Sequence, residues 1–191
     1  MKKGLLGVSI FLLLFLLSSC ATIEEPPFPA NLLGVIYDNY NNPVSGASIT
    51  MEDGRALSSD IDGRFVLPAL NKQEYKIIVS KKGFEPVDVE LDFFDPKQVL
   101  YIKLSSITYF KEEIEKSLKS KDWEKADRMI TRAFKIDEKD PVLLYLAAIY
   151  SLEVDKYNQC LGYLNSLGEI GYSTAAIGKL EDEVEKKRSE E

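Results

Sequence analysis

Hydrophobic and polar positions alternate in short runs from residue 31 to residue 104, and from Ser106 onward apolar residues recur every three to four positions. The first period belongs to half-buried strands and the second to amphipathic helices. Leu33, Val35 and Tyr37 share one face, as do Ala47, Ile49 and Met51. Val87, Val89 and Leu91 alternate with Asp88, Glu90 and Asp92, which predicts one face toward a core and one toward water. Tyr75, Ile77 and Val79 repeat the pattern, followed by Leu100, Ile102 and Leu104. Turn-forming clusters divide these runs at Asn41-Asn42-Pro43, Asp53-Gly54, Asp60 to Gly63, Lys82-Gly83 and Asp95-Pro96. About seven short strands follow, the number expected of a small antiparallel β-sandwich.

The second half predicts about five helices. Ile107, Phe110, Ile114 and Leu118 form one apolar stripe, and Ala126, Ile130, Ala133 and Phe134 form the next, behind Asp122 as N-cap. Asp140 followed by Pro141 is a helix start, because proline at the first helical position gives up an amide that has no partner there. A third helix runs through Leu144, Ala148 and Leu152, a fourth from Tyr157 to Gly168, and a fifth from Ser173 carries Ile177, Leu180 and Val184. The fold class is therefore α+β in two parts, an N-terminal sandwich and a C-terminal all-α array. The short join at Ser105-Ser106 predicts that the parts are held closely.

Residues 1 to 20 have a third pattern. Lys2 and Lys3 precede an apolar run from Leu5 to Leu17, then Ser18-Ser19-Cys20. That is the layout of a secretory signal, and the run is short for a membrane span. Leu17-Ser18-Ser19-Cys20 resembles the lipobox of bacterial lipoproteins. The resemblance implies cleavage before Cys20, a diacylglycerol on its thiol and an acyl group on its new amine, hence attachment to a lipid bilayer. It places the chain at a bacterial membrane, facing the periplasm or the cell surface. Residues 20 to 30, with Pro26, Pro27 and Pro29, read as an extended tether.

Charge narrows the functional classes. The chain carries a net charge of -7, and loss of Lys2 and Lys3 with the signal makes it -9. Nucleic acid is excluded as a partner on that balance, and adhesion of the protein surface to anionic headgroups is not expected. The sequence holds no histidine, so histidine-based triads and the usual zinc sites are excluded. Cys160 lacks the electropositive setting of a nucleophile and reads as a small packing residue. Asp60 and Asp62 do not have the spacing of a calcium loop and read as turn formers. Glu112 and Glu113 are adjacent, hence not convergent, and Trp123 reads as core. No catalytic residue, metal ligand or cofactor is assigned.

Two further resemblances add to this reading. Gly34-Val35-Ile36-Tyr37-Asp38, Pro43 to Ile49, Asp60-Ile61-Asp62-Gly63-Arg64-Phe65, Leu67 to Leu70 and Gly83-Phe84 together resemble the carboxypeptidase regulatory-like domain, a transthyretin-type sandwich. In the helical part a shift of 34 residues aligns Phe110 with Leu144, Trp123 with Tyr157, Ala126 with Cys160, Ile130 with Leu164 and Ala133 with Leu167, which is similar to tetratricopeptide helix pairs. The resemblances imply a sandwich over 31–104, helical repeats over 106–186 and a charged tail over 187–191. They also imply a non-enzymatic interaction module with a protein partner in the envelope. In this register Val142, Tyr145, Ile149 and Leu152 form the expected binding set. The alternative is glycan capture by the sandwich through Tyr37, Tyr40, Tyr101 and Phe93-Phe94.

Overall fold

The computed structural model describes residues 28–190. Seven strands come first: β1 (Ala30–Tyr37), β2 (Ser48–Met51), β3 (Ala56–Ser58), β4 (Arg64–Leu70), β5 (Gln73–Ser80), β6 (Val87–Phe93) and β7 (Val99–Lys103). Five helices follow: α1 (Ile107–Ser120), α2 (Trp123–Phe134), α3 (Pro141–Glu153), α4 (Tyr157–Glu169) and α5 (Ala175–Ser189). Two details extend past the sequence reading. Phe28, inside the expected tether, packs edge-on against Phe93 of the sandwich core with ring centroids 5.6 Å apart. The last helix continues to Ser189, into the expected tail.

The strands form two sheets, one ordered β4-β1-β7 and the other β3-β2-β5-β6. All pairings are antiparallel except β1 with β7. Between them lies a core of Leu32, Ile36, Ile49, Leu67, Ile77, Val79, Phe93 and Leu104, each almost fully buried. The expected alternation holds on β2, β5, β6 and β7. On β1 the three residues Leu33, Val35 and Tyr37 do share a face, and it is the outer one; Leu32 and Ile36 point inward. Gly34 also lies on the inner face, opposite Phe65, and a methyl group there would sit 2.1 Å from that ring. The missing side chain makes room for the aromatic one.

The Asp60–Gly63 turn behaves as expected. One Asp60 carboxylate oxygen accepts from the amides of Asp62 at 2.9 Å and Arg64 at 2.8 Å. Gly63 has φ +72°, and a Cβ there would lie 2.4 Å from the Ile36 carbonyl oxygen.

Side-chain caps start four of the five helices: Ser106, Asp122, Asp140 and Thr174 each accept from the backbone amide three residues on. Asp140 serves twice, since its second oxygen takes a 2.9 Å bond from Lys111 of α1 and so ties α1 to the start of α3. α3 lies between two apolar clusters, one shared with α1 and α2 and the other with α4 and α5, so it is buried on most of its circumference. Both members of four pairs aligned by the 34-residue shift are buried: Phe110 and Leu144, Ala126 and Cys160, Ile130 and Leu164, Ala133 and Leu167.

The two parts are joined by more than the chain. Phe84 bridges Ser106, the Glu85 amide donates to the Ser105 carbonyl at 2.9 Å, and the Ile107 amide donates to the Gly83 carbonyl at 2.9 Å. Glu85 reaches across to α2, where Arg132 Nε donates to its two oxygens at 3.1 and 3.2 Å and Arg132 Nη2 donates to one of them at 2.6 Å. The guanidinium lies 4.8 Å from the centroid of the Phe110 ring. On another side the Tyr40 hydroxyl donates to Glu112 at 2.7 Å.

Candidate functional site

The expected binding set on α3 does not form one open face. Val142 is 39% exposed, Tyr145 and Ile149 are half-buried, and Leu152 is only 3% exposed. Leu152 belongs to the cluster beneath α4 and α5, where Cys160, Leu164 and Val184 also lie. The physical reason is the position of α3: with helices on both sides, an i, i+3, i+7 stripe inevitably runs under one of them.

Ile149 is the member that reaches an open groove, and its neighbours there come from other helices. Leu118 at the end of α1, Trp123 at the start of α2, and Leu146 and Ile149 on α3 form an apolar floor, with a cavity volume of about 360 Å³. Glu115, Lys119, Lys121 and Glu153 line its rim, two acids and two bases. Local chemistry places the tryptophan. Lys121 adopts a left-handed conformation (φ 58°) that ends α1, and Asp122 then caps α2 with Trp123 as its first residue. The indole packs against the α1–α2–α3 cluster on one side and lines the groove with the other, so it is half-buried rather than core. Leu118, Trp123 and Leu146 were not in the expected set. The signal for them was the apolar residue closing the α1 stripe beside a capped tryptophan start.

Elsewhere on α1, Glu113 is held by Lys116 at 2.8 Å and by Lys125 of α2 at 2.7 Å. These two ammonium groups hold its carboxyl below the usual carboxylate range. The Lys125 bond ties α1 to α2.

Cys160 is fully buried, and burial pushes its thiol up to about 11. Phe93 is in the sandwich core and Phe94 is exposed. Tyr40 faces the helical part, and the Glu112 carboxylate that accepts its hydroxyl pushes its pKa up to about 12. Tyr37 and Tyr101 share the outer face of the three-stranded sheet, with the Lys103 ammonium 5.4 Å from the Tyr37 ring. The five aromatics are not gathered into one platform. Among the described residues no three His, Cys, Asp or Glu side chains converge as a metal site, and no helix is long and apolar enough to cross a membrane. Cys20 lies outside the described residues.

Residues 31–103 match the sequence model of the carboxypeptidase regulatory-like domain. None of the curated proteins matches the chain. Among solved structures, similarity is found to a type II cohesin–X-dockerin complex from Acetivibrio cellulolyticus, at 11% identity and a TM-score of 0.35 over 40% of this chain and 58% of that one. A streptococcal ancillary pilin is similar at 14% identity and a TM-score of 0.34, over 40% of this chain and 31% of that one. The 3-chlorocatechol 1,2-dioxygenase of Rhodococcus opacus is similar at 12% identity and a TM-score of 0.33, over 44% of this chain and 62% of that one. The chain thus spans less than two thirds of the length of each of these structures.

Proposed function

We propose that the chain is a bacterial envelope lipoprotein, held to a membrane by acyl groups on Cys20, that acts by binding a protein partner and not by catalysis. The observation that carries this reading is the open apolar groove of Leu118, Trp123, Leu146 and Ile149 with charges of both signs on its rim. A half-buried tryptophan in an apolar depression bordered by charge is the composition of an interface hot spot. Its fitting occupant is an amphipathic segment of another envelope protein, apolar along one side and polar along the other. The burial of aligned positions in the α1–α2 and α3–α4 pairs supports a tetratricopeptide-like use of the helical part. In this reading the sandwich is the platform, clamped to α2 through Glu85 and Arg132.

The test is photo-crosslinking in intact cells from position 149, with exposed Asp137 as the control position. A discrete adduct from 149 that is absent from 137 is expected. Substituting Trp123 with Ala should weaken binding of the captured partner about 10- to 100-fold. Equal labelling from both positions, or full binding by the substituted chain with its helical circular dichroism intact, would overturn the groove assignment.

A further inference from the structure

The two sheets of the sandwich present opposite chemistry on their outer faces. On the three-stranded sheet, Leu33 of β1 lies between Val66 of β4 and Val99 of β7, and the next outward row is Arg64, Val35 and Tyr101. Leu33 is 53% exposed, Val66 43%, Val99 39% and Tyr101 66%, an apolar and aromatic face open on three adjoining strands. Strands β1, β4 and β7 contain no carboxylate, and their charged residues are Arg64 and Lys103. The four-stranded sheet has the reverse composition. β5 and β6 carry Glu74, Asp88, Glu90 and Asp92 against the single Lys76. The acidity of the whole chain therefore says little about the first sheet, whose strands carry no carboxylate and whose Arg64 pairs with Asp62 of the preceding turn at 3.6 Å.

We propose that the outer face of β4-β1-β7 lies on the bilayer to which the chain is anchored, with Leu33, Val66, Val99 and Tyr101 at the boundary between headgroups and acyl chains. This rests on the anchoring reading above. β1 begins at Ala30, ten residues after Cys20, so the lipid attachment keeps this sheet within roughly 35 Å of the membrane. At that effective concentration a patch too small to bind lipid by itself is sufficient. Tyrosine is suited to the interfacial layer, and the Lys103 stem can lie along the apolar face while its ammonium meets phosphates. The carboxylates of β5 and β6 then point away from anionic headgroups. The ten-residue link to the acylated cysteine is what selects lipid as the occupant over a second copy of the chain.

The test uses the lipidated full chain in vesicles of phosphatidylethanolamine and phosphatidylglycerol, 3:1, with an environment-sensitive fluorophore on L33C or, as a second reporter, V99C. Label goes to the introduced thiol because Cys160 is buried with its thiol pushed up to about 11, and Cys20 is acylated in this reading. A blue shift and about twofold quenching by brominated phospholipid are expected at 33 and at 99, and neither at I78C on the acidic sheet. The double substitution V66T/Y101T, at exposed strand positions, should remove most of the quenching at 33. Probes at 33 and 78 that report water equally, on protein whose intact mass includes the acyl groups, would overturn the lipid face and leave anchoring intact. An intact mass without acyl groups would overturn the anchoring on which it rests. A shift at 33 that grows with protein concentration without lipid would give the face to a second copy and also overturn it.

Discussion

Replacing Glu85 with Gln should unfold the chain at lower denaturant while leaving each part correctly folded. Glu85 is the one acidic side chain on the loop before β6 that enters the helical part; it is 14% exposed and accepts three bonds from Arg132. Charge-assisted bonds of this fork geometry contribute about 1.5 to 3 kcal/mol net when shielded. Arg132 is 43% exposed and keeps its water after the substitution, so the lower end applies and the expected cost is about 1 to 2 kcal/mol. With a urea slope near 2 kcal/mol/M, the midpoint falls by about 0.5 to 1 M. The assay is urea unfolding of the soluble C20A mature chain, followed by Trp123 fluorescence for the helices and by far-ultraviolet circular dichroism for both parts. Because the backbone bonds at Ser105 and Ile107 also tie the parts together, both probes should move by the same amount. Combining E85Q with R132Q should cost about as much as either alone, giving a coupling energy of about 1 to 2 kcal/mol. A coupling below about 0.3 kcal/mol would refute the clamp, and wild-type transitions that separate by probe would refute the view that the two parts unfold as one unit.

Other consequences concern single positions. Ser151 is fully buried and its hydroxyl has no partner among the described residues, so Ser151→Ala should raise stability by about 1 kcal/mol in the same unfolding assay. Gly63→Ala should cost about 2 kcal/mol or more, from the left-handed backbone and the contact with the Ile36 carbonyl, and the loss should appear as a lowered midpoint. Glu113 gives a pH dependence of known sign. Lys116 and Lys125 hold its folded pKa below the ordinary 4.5, so its contribution is present above that pH and is lost as pH falls through the lower folded value. Glu113→Gln should flatten the stability profile on the acid side of 4.5, measured as urea midpoints between pH 5 and about pH 3.

Local chemistry made much of the fold legible in the sequence. Strands β2, β5, β6 and β7 alternate cleanly, and Asp122 and Asp140-Pro141 mark helix starts that the structure places there. β1 was different, because Leu32, Leu33, Val35 and Ile36 are apolar on both faces and the period alone does not say which side is inside. Gly34 and its partner Phe65 settle it, and that pairing is 31 positions apart in the chain. The same limit applies on α3. It is apolar nearly all round, so no face stands out, and the exposed part of it is decided by where α1, α2, α4 and α5 pack. Ile149 was legible as a surface candidate; its partners Leu118 and Trp123 required the α1–α2 turn. The Glu85–Arg132 clamp joins residues 47 positions apart, with no periodic signature on either.

The intact mass of the chain extracted from cell membranes is the most direct test, since the lipid face and the envelope location of the partner both presuppose attachment. The account predicts a polypeptide beginning at Cys20 with the mass increments of a diacylglycerol and an amide-linked acyl chain, and its loss from the membrane fraction in C20A. A membrane-derived or soluble chain with an unmodified Cys20 would contradict it.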